Sequence, residues 1–269
     1  MVARRRRRWW WIAAAAVVLV AATALVLVRF VFLRDTATTV SPGDVLARYR
    51  ASSTVAATTT GGSGLTLPAP GVYRYATTGS ERVDALGGAT HTYPPITTIT
   101  VTEAGCGVQT RWDALQERWN LRQLCLGHGG IVSGSYTDLH RFYGQTDRRD
   151  WTCTPAYVLV PADPTAGTAW TGSCTDAHGT SEATAVSVMG LEDVVVAGEP
   201  IPAVHVRRIE TDTGSETTAT STTDQWFDRR TGLVLREVVT SSSTTSSLVG
   251  DVHFHEQYEL TITSLGPQQ

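Results

Sequence analysis

From Pro68 to the C-terminus, the sequence carries a strand pattern that restricts the chain to an antiparallel β-fold. Runs rich in Val, Ile, Thr, Tyr and Trp alternate with turn residues such as Gly, Pro, Asp and Ser. Short strands that recur about every 8 to 12 residues are typical of an antiparallel meander. No comparable run has the helical period of about 3.6 residues. We therefore predict one all-β domain over 68–269, with about 10 to 13 strands in a curved antiparallel sheet or half-barrel.

The N-terminal residues predict where this domain is located. Arg4–Arg8 precede three tryptophans and an apolar stretch that ends at Val28. Roughly 20 such residues form a helix of about 30 Å, the thickness of the hydrocarbon core of a bilayer. The arginines before the span predict a cytoplasmic N-terminus. We expect a cytoplasmic basic tail at 1–8 and a transmembrane signal anchor at 9–33, in contact with the bilayer of the cell membrane, with the rest of the chain extracytoplasmic.

A cleavable signal peptide is the alternative reading of the same segment, because it also places a basic region before an apolar one. The small-residue triplet nearest to a cleavage site is Ala22-Thr23-Ala24, and Leu25–Val28 follow it directly. Cleavage there would leave an apolar stub on the mature protein. An uncleaved, single-pass anchor is therefore the preferred interpretation.

Between the anchor and the β domain we predict a short helix and a linker. Ser41 as N-cap, Pro42 at the first helical position and Asp44 in the first turn predict a helix that ends near Ala51. This helix belongs to a membrane-proximal segment at 34–51. The residues at 52–67 are mostly Thr, Ser, Gly and Ala without a hydrophobic period, which predicts a flexible linker.

The charge distribution excludes nucleic acid as a partner. Residues 1–34 hold seven of the 22 Arg and no acid, which leaves 15 Arg against 25 acidic residues and a formal charge of −10 for the rest of the chain. Phosphate backbones require a basic surface instead. The complete absence of Lys is explained most simply by a GC-rich genome.

Four cysteines in an extracytoplasmic domain predict two disulfides. A register that places Cys106 opposite Cys125 also places Trp112 opposite Trp119 and creates a four-residue hairpin loop at 114–117. Aromatic cross-strand pairs of this kind stabilise hairpins. We therefore predict a Cys106–Cys125 disulfide.

The second pair follows from the same argument. Placing Cys153 opposite Cys174 brings Tyr157 opposite Trp170 around the turn region at 161–166. This predicts a Cys153–Cys174 disulfide. A zinc or redox role for these cysteines is disfavoured, because the sequence has no C-x-x-C motif.

The strongest metal candidate is the triad Asp251, His253 and His255, whose side chains share one face of the last predicted strand. A ligand from a neighbouring strand would complete a zinc site. The simpler reading places these residues on the solvated face, opposite the apolar residues that alternate with them. We therefore expect no metal.

The sequence gives no clear catalytic site. Three carboxylates near predicted turns, Asp224, Asp228 and Glu237, are possible catalytic groups, although acidic residues near turns are usually only soluble. The other histidines are scattered, and serines near glycines, such as Ser63, Ser133 and Ser181, do not match G-x-S-x-G. Phosphate-loop and dinucleotide motifs are absent. We expect no cofactor and no enzymatic activity.

Three segments resemble a known group of proteins. They read LEDVVVAGEPIPAVHVRR at 191–208, QWFDRRTGLVLRE at 225–237 and GDVHFHEQYELTITSL at 250–265, and VPADPTAGTAWTGS at 160–173 precedes them. The succession resembles bacterial, actinobacterial-type envelope proteins of the lipoprotein-carrier-like half-barrel group and their uncharacterised relatives. The resemblance implies an incomplete barrel whose apolar concave face sometimes holds acyl chains. The predicted anchor favours a fixed receptor or scaffold over a shuttle.

Together, these observations predict a membrane-anchored cell-envelope binding or structural protein. It would hold an apolar envelope molecule in the concave face of the half-barrel or dock a protein partner. The alternative is an envelope-remodelling hydrolase or metal-dependent enzyme that uses the strand of Asp251, His253 and His255.

Overall fold

The computed structural model describes residues 17–20, 23, 35–52, 64–214, 217–247 and 250–269. The chain divides into two compact units, Met1–Thr36 and Ala37–Gln269. Within the predicted span at 9–33, residues 17–20 and 23 are described, and they are helical. The rest of that span, the basic tail at 1–8 and residues 53–63 of the predicted linker lie outside the described residues. Among the residues that are described, no helix has the length and apolar character needed to cross a membrane.

A short helix, α1 (Pro42–Ser52), begins where the sequence predicts it. The Ser41 hydroxyl accepts a hydrogen bond from the backbone N–H of Asp44 at 3.1 Å, which satisfies one of the free N–H groups of the first turn. Val45 is buried, and the Arg50 guanidinium donates to the backbone carbonyl of Gln269. The helix therefore belongs to the same compact unit as the β-strands.

The described part of the second unit contains thirteen strands in one antiparallel sheet, which confirms the predicted all-β class. The strands are β1 (Gly71–Val83), β2 (Ala89–Thr92), β3 (Ile96–Ala104), β4 (Gly107–Asp113), β5 (Arg118–Gly127), β6 (Gly130–Phe142), β7 (Gln145–Pro161), β8 (Ala169–Asp176), β9 (Ser181–Val196), β10 (Glu199–Thr213), β11 (Thr217–Asp228), β12 (Val234–Ser247) and β13 (Gly250–Ile262). A 3₁₀ turn at Ala85–Gly87 connects β1 to β2.

The sheet closes into a barrel, which corrects the predicted half-barrel. Strand β1 pairs with β13 from Tyr75 opposite Ile262 to Val83 opposite Phe254. Twelve strands form the closed wall, and β2 is an extra strand beside the second half of β1. Closure removes both sheet edges, which would otherwise expose unpaired backbone groups. The sequence pattern locates each strand but does not identify this pairing, because it joins strands far apart in the chain.

Side chains alternate between the inside and the outside of the barrel along each strand. A barrel of about eight strands is just wide enough for side chains to fill it, and the diameter grows with the number of strands. Twelve strands therefore leave space that side chains of ordinary size do not fill. The apolar core lies toward one end, where β1 begins and β13 ends; we call this the lower end. It includes Tyr75, Leu235 and Leu260, all nearly inaccessible to solvent.

The last residues of the predicted linker close this lower end. Leu65 and Leu67 are buried in the core cluster. The backbone N–H of Thr66 donates to the carbonyl of Arg230 in the β11–β12 turn at 2.7 Å. Leu67 packs so closely on Gly107 of β4 that a Cβ there would lie 2.7 Å from the Leu67 Cδ1. Residues 65–67 are therefore ordered parts of the barrel.

The cysteines form the two predicted disulfides, Cys106–Cys125 and Cys153–Cys174. The register predicted around the first was wrong by one residue. Cys125 pairs with Gly107, and Trp112 pairs with Asn120. Because a one-residue shift changes which residues of two paired strands share a face, Trp112 shares the inner face with Asn120 and not with Trp119.

Around the second disulfide, Cys153 lies opposite Cys174 as predicted. Strands β7 and β8 then diverge after three residue pairs, so the predicted pairing of Tyr157 with Trp170 does not form. The Trp170 indole donates instead to the carbonyl of Val158 at 2.8 Å. The Tyr157 ring fills the gap between the strands, against Gly172.

Candidate functional site

The barrel encloses a cavity of about 690 Å³, within the range of about 300 to 1,000 Å³ typical of small-molecule sites. It extends from Leu233 near the lower end to Thr217 and Thr245 near the opposite, upper end. Its lower part is lined by apolar side chains, among them Ile99, Val101, Leu124, Leu159, Phe227 and Leu260. We call this lower part the apolar floor.

Above the floor, the cavity is crossed by buried charged residues, which we call the charged waist. They are the buried residues Arg118, Glu182, Arg208, Glu210, Glu237 and Glu256, together with the half-buried Arg122. Charged side chains are rarely buried without partners, because transfer from water costs several kcal/mol per ion. The waist is therefore organised by pairing, and each pair has a different geometry.

The first pair lies on the seam where β1 meets β13. Glu256 receives two hydrogen bonds from the Arg118 guanidinium, at 2.7 Å from Nε and 3.2 Å from Nη2. The Tyr93 hydroxyl donates to the same carboxylate. Burial raises the pKa of Tyr93 well above its usual value, and the Glu256 charge adds to the effect. This carboxylate is therefore fully bonded.

Directly opposite Glu256 on β1 lies Glu81, which is fully buried. Its two carboxylate oxygens are bonded by Nδ1 of His91 at 2.9 Å and Nδ1 of His140 at 2.7 Å. Burial opposes ionisation of Glu81, but the hydrogen bonds from His140 and His91 outweigh it and lower the pKa to about 2. Glu81 is therefore ionised at neutral pH.

Among the described residues, three potential metal ligands come together at this seam. Ligand atoms of Glu81, His140 and Glu256 lie within 4.8 Å of one another. All four carboxylate oxygens, however, already have partners: two imidazoles on Glu81, and Arg118 with Tyr93 on Glu256. Arg118 also supplies the positive charge that a metal ion would otherwise provide. The seam is a satisfied ionic network.

The second part of the waist, around Tyr157, is less completely paired. The Tyr157 hydroxyl accepts hydrogen bonds from Nη1 of both Arg122, at 3.0 Å, and Arg208, at 3.3 Å. Arg208 Nη1 lies 3.2 Å from Glu210 Oε1, an ion-pair distance without hydrogen-bond geometry. Within the described residues, Arg208 Nε, Glu210 Oε1 and Gln225 Oε1 have no hydrogen-bond partner. Because unmade buried hydrogen bonds are costly, these three atoms indicate that a ligand or water completes this wall.

Two more carboxyl groups face the same wall. Burial raises the pKa of Glu182 to about 8, with a further contribution from the Glu210 charge. Burial also raises the pKa of Asp212 to about 7, again with help from Glu210. The two residues are cross-strand neighbours on β9 and β10, and Glu182 hydrogen-bonds to the Tyr136 hydroxyl. The cavity therefore contains acids that titrate near neutrality.

The predicted metal residues Asp251, His253 and His255 lie on the outer face of β13, as expected from strand alternation. His253 bonds to Asp84, through its backbone N–H at 2.7 Å and through Nδ1 at 2.8 Å. Among the described residues, these three do not belong to a group whose ligand atoms come together.

The three predicted carboxylates separate in the structure. Asp224 lies on the outer face and bonds to Arg207 and His205. Asp228 accepts from backbone N–H groups of its own turn. Only Glu237 lines the cavity, where Gln225 and Tyr258 bond to it.

Of the three serines, the two that the structure describes lie on different strands, Ser133 on β6 and Ser181 on β9. Ser133 is buried and lies 3.2 Å from an Arg122 nitrogen. Ser181 begins β9, and Ser63 lies outside the described residues.

Most of the waist was missed from the sequence, although a signal was present. Glu256 alternates in phase with Phe254, Tyr258 and Leu260, the apolar face of β13. Arg208 likewise follows Val204 and Val206 on the buried face of β10. A charged residue in phase with an apolar face predicts a buried charge, because alternate side chains share one face.

Comparisons with known proteins add a distant likeness. No protein-family model matches the chain, and a search of curated proteins finds no match. A solved structure similar to it is that of the hypothetical lipoprotein YmcC from Escherichia coli (K12), at 12% sequence identity and a TM-score of 0.30, over 68% of this chain and 85% of that one. This likeness assigns the chain to no family and identifies no actinobacterial group.

Proposed function

We propose that this protein is a cell-envelope binding protein that holds an amphipathic molecule inside its barrel. The observation that carries the proposal is the cavity of about 690 Å³, which has an apolar floor and a partly unpaired polar wall above it. Ligand sites commonly combine a mainly apolar lining with a few polar groups that fix orientation. The apolar part of the ligand would contact the floor, and its polar part would reach the waist.

The unpaired atoms support a ligand with a polar group rather than a pure hydrocarbon. Arg208 Nε is a donor, while Glu210 Oε1 and Gln225 Oε1 are acceptors, and all three belong to residues that line the cavity. A pure hydrocarbon would leave Arg208 Nε and Gln225 Oε1 without a partner and Glu210 Oε1 with only its ion pair to Arg208. Each unmade hydrogen bond would cost about 1 to 3 kcal/mol. A ligand that both donates and accepts hydrogen bonds removes that cost.

The sequence favours a ligand that comes from the cell envelope. The arginine block and apolar run at 4–28 favour a membrane anchor, and an anchored barrel remains close to envelope lipids. A fixed receptor or scaffold fits this arrangement better than a carrier that leaves the membrane. Docking of a protein partner in place of a small molecule is the outcome that an empty cavity would favour.

Native mass spectrometry of the full-length, detergent-solubilised protein tests the proposal with two variants of neighbouring residues. Ala219 lines the cavity, whereas Thr220 is exposed on the outer face of the same strand. We expect the wild type to carry a co-purified lipid-sized adduct, Ala219→Trp to lose it by filling the cavity, and Thr220→Trp to keep it. An adduct that persists in Ala219→Trp, or no adduct in the wild type, would refute binding inside the barrel.

A hydrolase acting in the same cavity is a second candidate. It is favoured by Glu182, because an acid with a pKa of about 8 keeps its proton at neutral pH and can serve as a general acid. Wild type and Glu182→Gln, incubated with envelope lipid extract, would be compared by mass spectrometry of the products. Products formed by the wild type and lost in the variant would favour catalysis, and unchanged lipids would favour binding alone.

A further inference from the structure

A double row of hydroxyl groups lines the upper part of the cavity. It consists of Thr217, Ser221 and Thr223 on β11 and Ser241, Ser243 and Thr245 on β12, and we call it the hydroxyl ladder. Thr217 pairs with Thr245 across the two strands, Ala219 with Ser243, and Ser221 with Ser241. These positions alternate with outward-facing residues, so the ladder is a continuous polar stripe on the inner wall.

Three of the six ladder hydroxyls are free to bond to a ligand. Thr217 and Thr245 are bonded to each other at 3.1 Å. The side chains of Ser221, Ser241 and Ser243 have no hydrogen-bond partner among the described residues and are half-buried. Each hydroxyl can donate one hydrogen bond and accept others. A half-buried row of this kind suits a ligand group that has many donors and acceptors of its own.

The ladder is continuous with the unpaired atoms of the waist. Thr223 pairs with Arg208 on β10, and Ser221 pairs with Glu210. Gln225, the next inward residue of β11, carries the third unpaired atom. Two independent features of the same wall, free hydroxyls and nine-tenths-buried polar atoms without partners, therefore point to one ligand group.

An aromatic surface adjoins the ladder on its other side. Phe254 of β13 lies opposite Ser243 of β12 and lines the cavity. Its ring makes edge contacts with His140 at 4.9 Å and Phe142 at 6.3 Å between ring centroids. Flat aromatic surfaces beside hydrogen-bonding groups suit sugar rings, whose C–H faces pack on an aromatic ring while their hydroxyls bond at the edge.

The charge of the cavity disfavours an anionic head group. Among the described residues, seven carboxyl groups and four arginines line it. Arg118 is fully engaged by Glu256, and Arg208 lies beside Glu210. Even when Glu182 and Asp212 are protonated, five carboxylates remain against four arginines, so a phosphate would find no excess of positive charge. A neutral, hydroxyl-rich group avoids this repulsion. Its hydroxyls can accept from Arg208 Nε and donate to Glu210 Oε1 and Gln225 Oε1.

We propose that the upper cavity binds a neutral, hydroxyl-rich head group, a sugar or similar polyol, of the amphipathic ligand. This inference rests on the proposed function and names the chemistry of the polar end. The head group would bond to the hydroxyl ladder and to Arg208, Glu210 and Gln225, while Phe254 packs against its ring. Its alkyl part would extend to the apolar floor.

Calorimetric titration of the full-length chain in phosphatidylcholine nanodiscs tests this, with the heat of empty nanodiscs subtracted. The probes share one alkyl chain: hexyl β-D-glucopyranoside, 1-hexanol, hexyl phosphate and hexylamine, each below its micelle concentration. We expect the glucoside to bind at least tenfold more tightly than the other three. Equal binding of hexanol, or tighter binding of the phosphate or the amine, would overturn the head-group assignment.

Two triple variants on the same strands provide the matched comparison. Ser221→Ala/Ser241→Ala/Ser243→Ala removes ladder hydroxyls, and Thr220→Ala/Ser242→Ala/Thr244→Ala removes outward-facing hydroxyls beside them. We expect the inner triple variant to lose at least tenfold in affinity for the glucoside while binding hexanol as the wild type does, which shows that it folds. The outer triple variant should match the wild type throughout.

The results also separate this inference from the proposed function. A wild-type adduct that Ala219→Trp abolishes, together with no preference for the glucoside, would leave binding in the barrel intact and refute the sugar head group. Unchanged glucoside affinity in the inner triple variant would likewise refute the sugar head group and leave binding in the barrel intact. If no hexyl probe binds and no adduct is found, both proposals fail.

Discussion

Glu81 and Glu256 face each other across the β1–β13 pair that closes the barrel, and each is neutralised by a different set of partners. Glu81 is held by His91 and His140, whereas Glu256 is held by Arg118 and Tyr93. Two buried carboxylates at neighbouring positions would repel each other without these partners. Closure of the sheet therefore depends on ionic pairing as well as on backbone hydrogen bonds.

The first prediction concerns Arg118. Arg118→Met should lower the free energy of unfolding by about 3 to 5 kcal/mol, because it leaves the Glu256 carboxylate buried and unpaired. The control is Arg236→Met, which removes the half-exposed pair with Glu259 and should cost at most about 1 kcal/mol. Urea unfolding at pH 7 measures both. Similar losses in the two variants would contradict the importance of the seam.

The second prediction concerns pH. Burial and the Glu210 charge raise the pKa of Glu182 from 4.5 to about 8. Between pH 4.5 and about 8, the folded protein therefore keeps a proton on Glu182 that the unfolded chain has lost. The stabilisation from this group is fully present below pH 4.5 and disappears as the pH rises to about 8. Removing the titrating group should remove this part of the pH dependence.

Glu182→Gln should accordingly reduce the fall in unfolding free energy between about pH 5 and 8 by about 3 kcal/mol. Asp212, whose pKa is raised to about 7 mainly by burial, retains a fall in the same direction. Urea unfolding at three pH values gives the slope, with the exposed Glu199→Gln as control. The prediction fails if wild type and Glu182→Gln have parallel pH profiles.

The fold was largely predictable from the sequence, and the interior was not. Strand positions and both disulfides follow from local patterns, because turn residues and alternation act within a few residues. The register at Trp112 was wrong because Cys106 lies in the turn before β4 and need not face Cys125 directly. A disulfide tolerates that offset, whereas cross-strand side-chain pairs do not.

The candidate site could not be predicted from the sequence, for a different reason. Closure pairs β1 with β13, and only that pairing brings Glu81 beside Glu256, which is 175 residues further along the chain (256 minus 81). Likewise, Arg122 of β5 and Arg208 of β10 meet only at the Tyr157 hydroxyl inside the barrel. Such contacts depend on the number of strands and on closure, which single-strand patterns do not specify.

The third prediction concerns Gly172, which lies against the Tyr157 ring in the gap between β7 and β8. A Cβ at this position would lie 2.8 to 2.9 Å from the Cγ, Cβ and Cδ1 atoms of Tyr157. Gly172→Ala should therefore displace the ring and destabilise the protein by about 1 to 3 kcal/mol.

The control is Gly134→Ala in β6, where the added methyl would make an ordinary contact of 3.7 Å with Ala156. Both variants can be compared by thermal unfolding, and only Gly172→Ala should lower the midpoint substantially. Equal midpoints would mean that the Tyr157 ring can move without cost.

The last prediction concerns the Tyr157 hydroxyl, which accepts hydrogen bonds from Arg122 and Arg208. Tyr157→Phe leaves both guanidinium groups without this acceptor in a buried site, and hydrogen bonds to charged groups contribute about 1.5 to 3 kcal/mol each. We expect a loss of about 3 kcal/mol in the free energy of unfolding. Tyr73→Phe is the control, because that buried hydroxyl donates to a single neutral carbonyl, of Ala69, at 2.8 Å, and its removal should cost about 1 kcal/mol. Urea unfolding of both variants decides the matter: a smaller loss for Tyr157→Phe than for Tyr73→Phe would mean that the two arginines find other partners within the cavity.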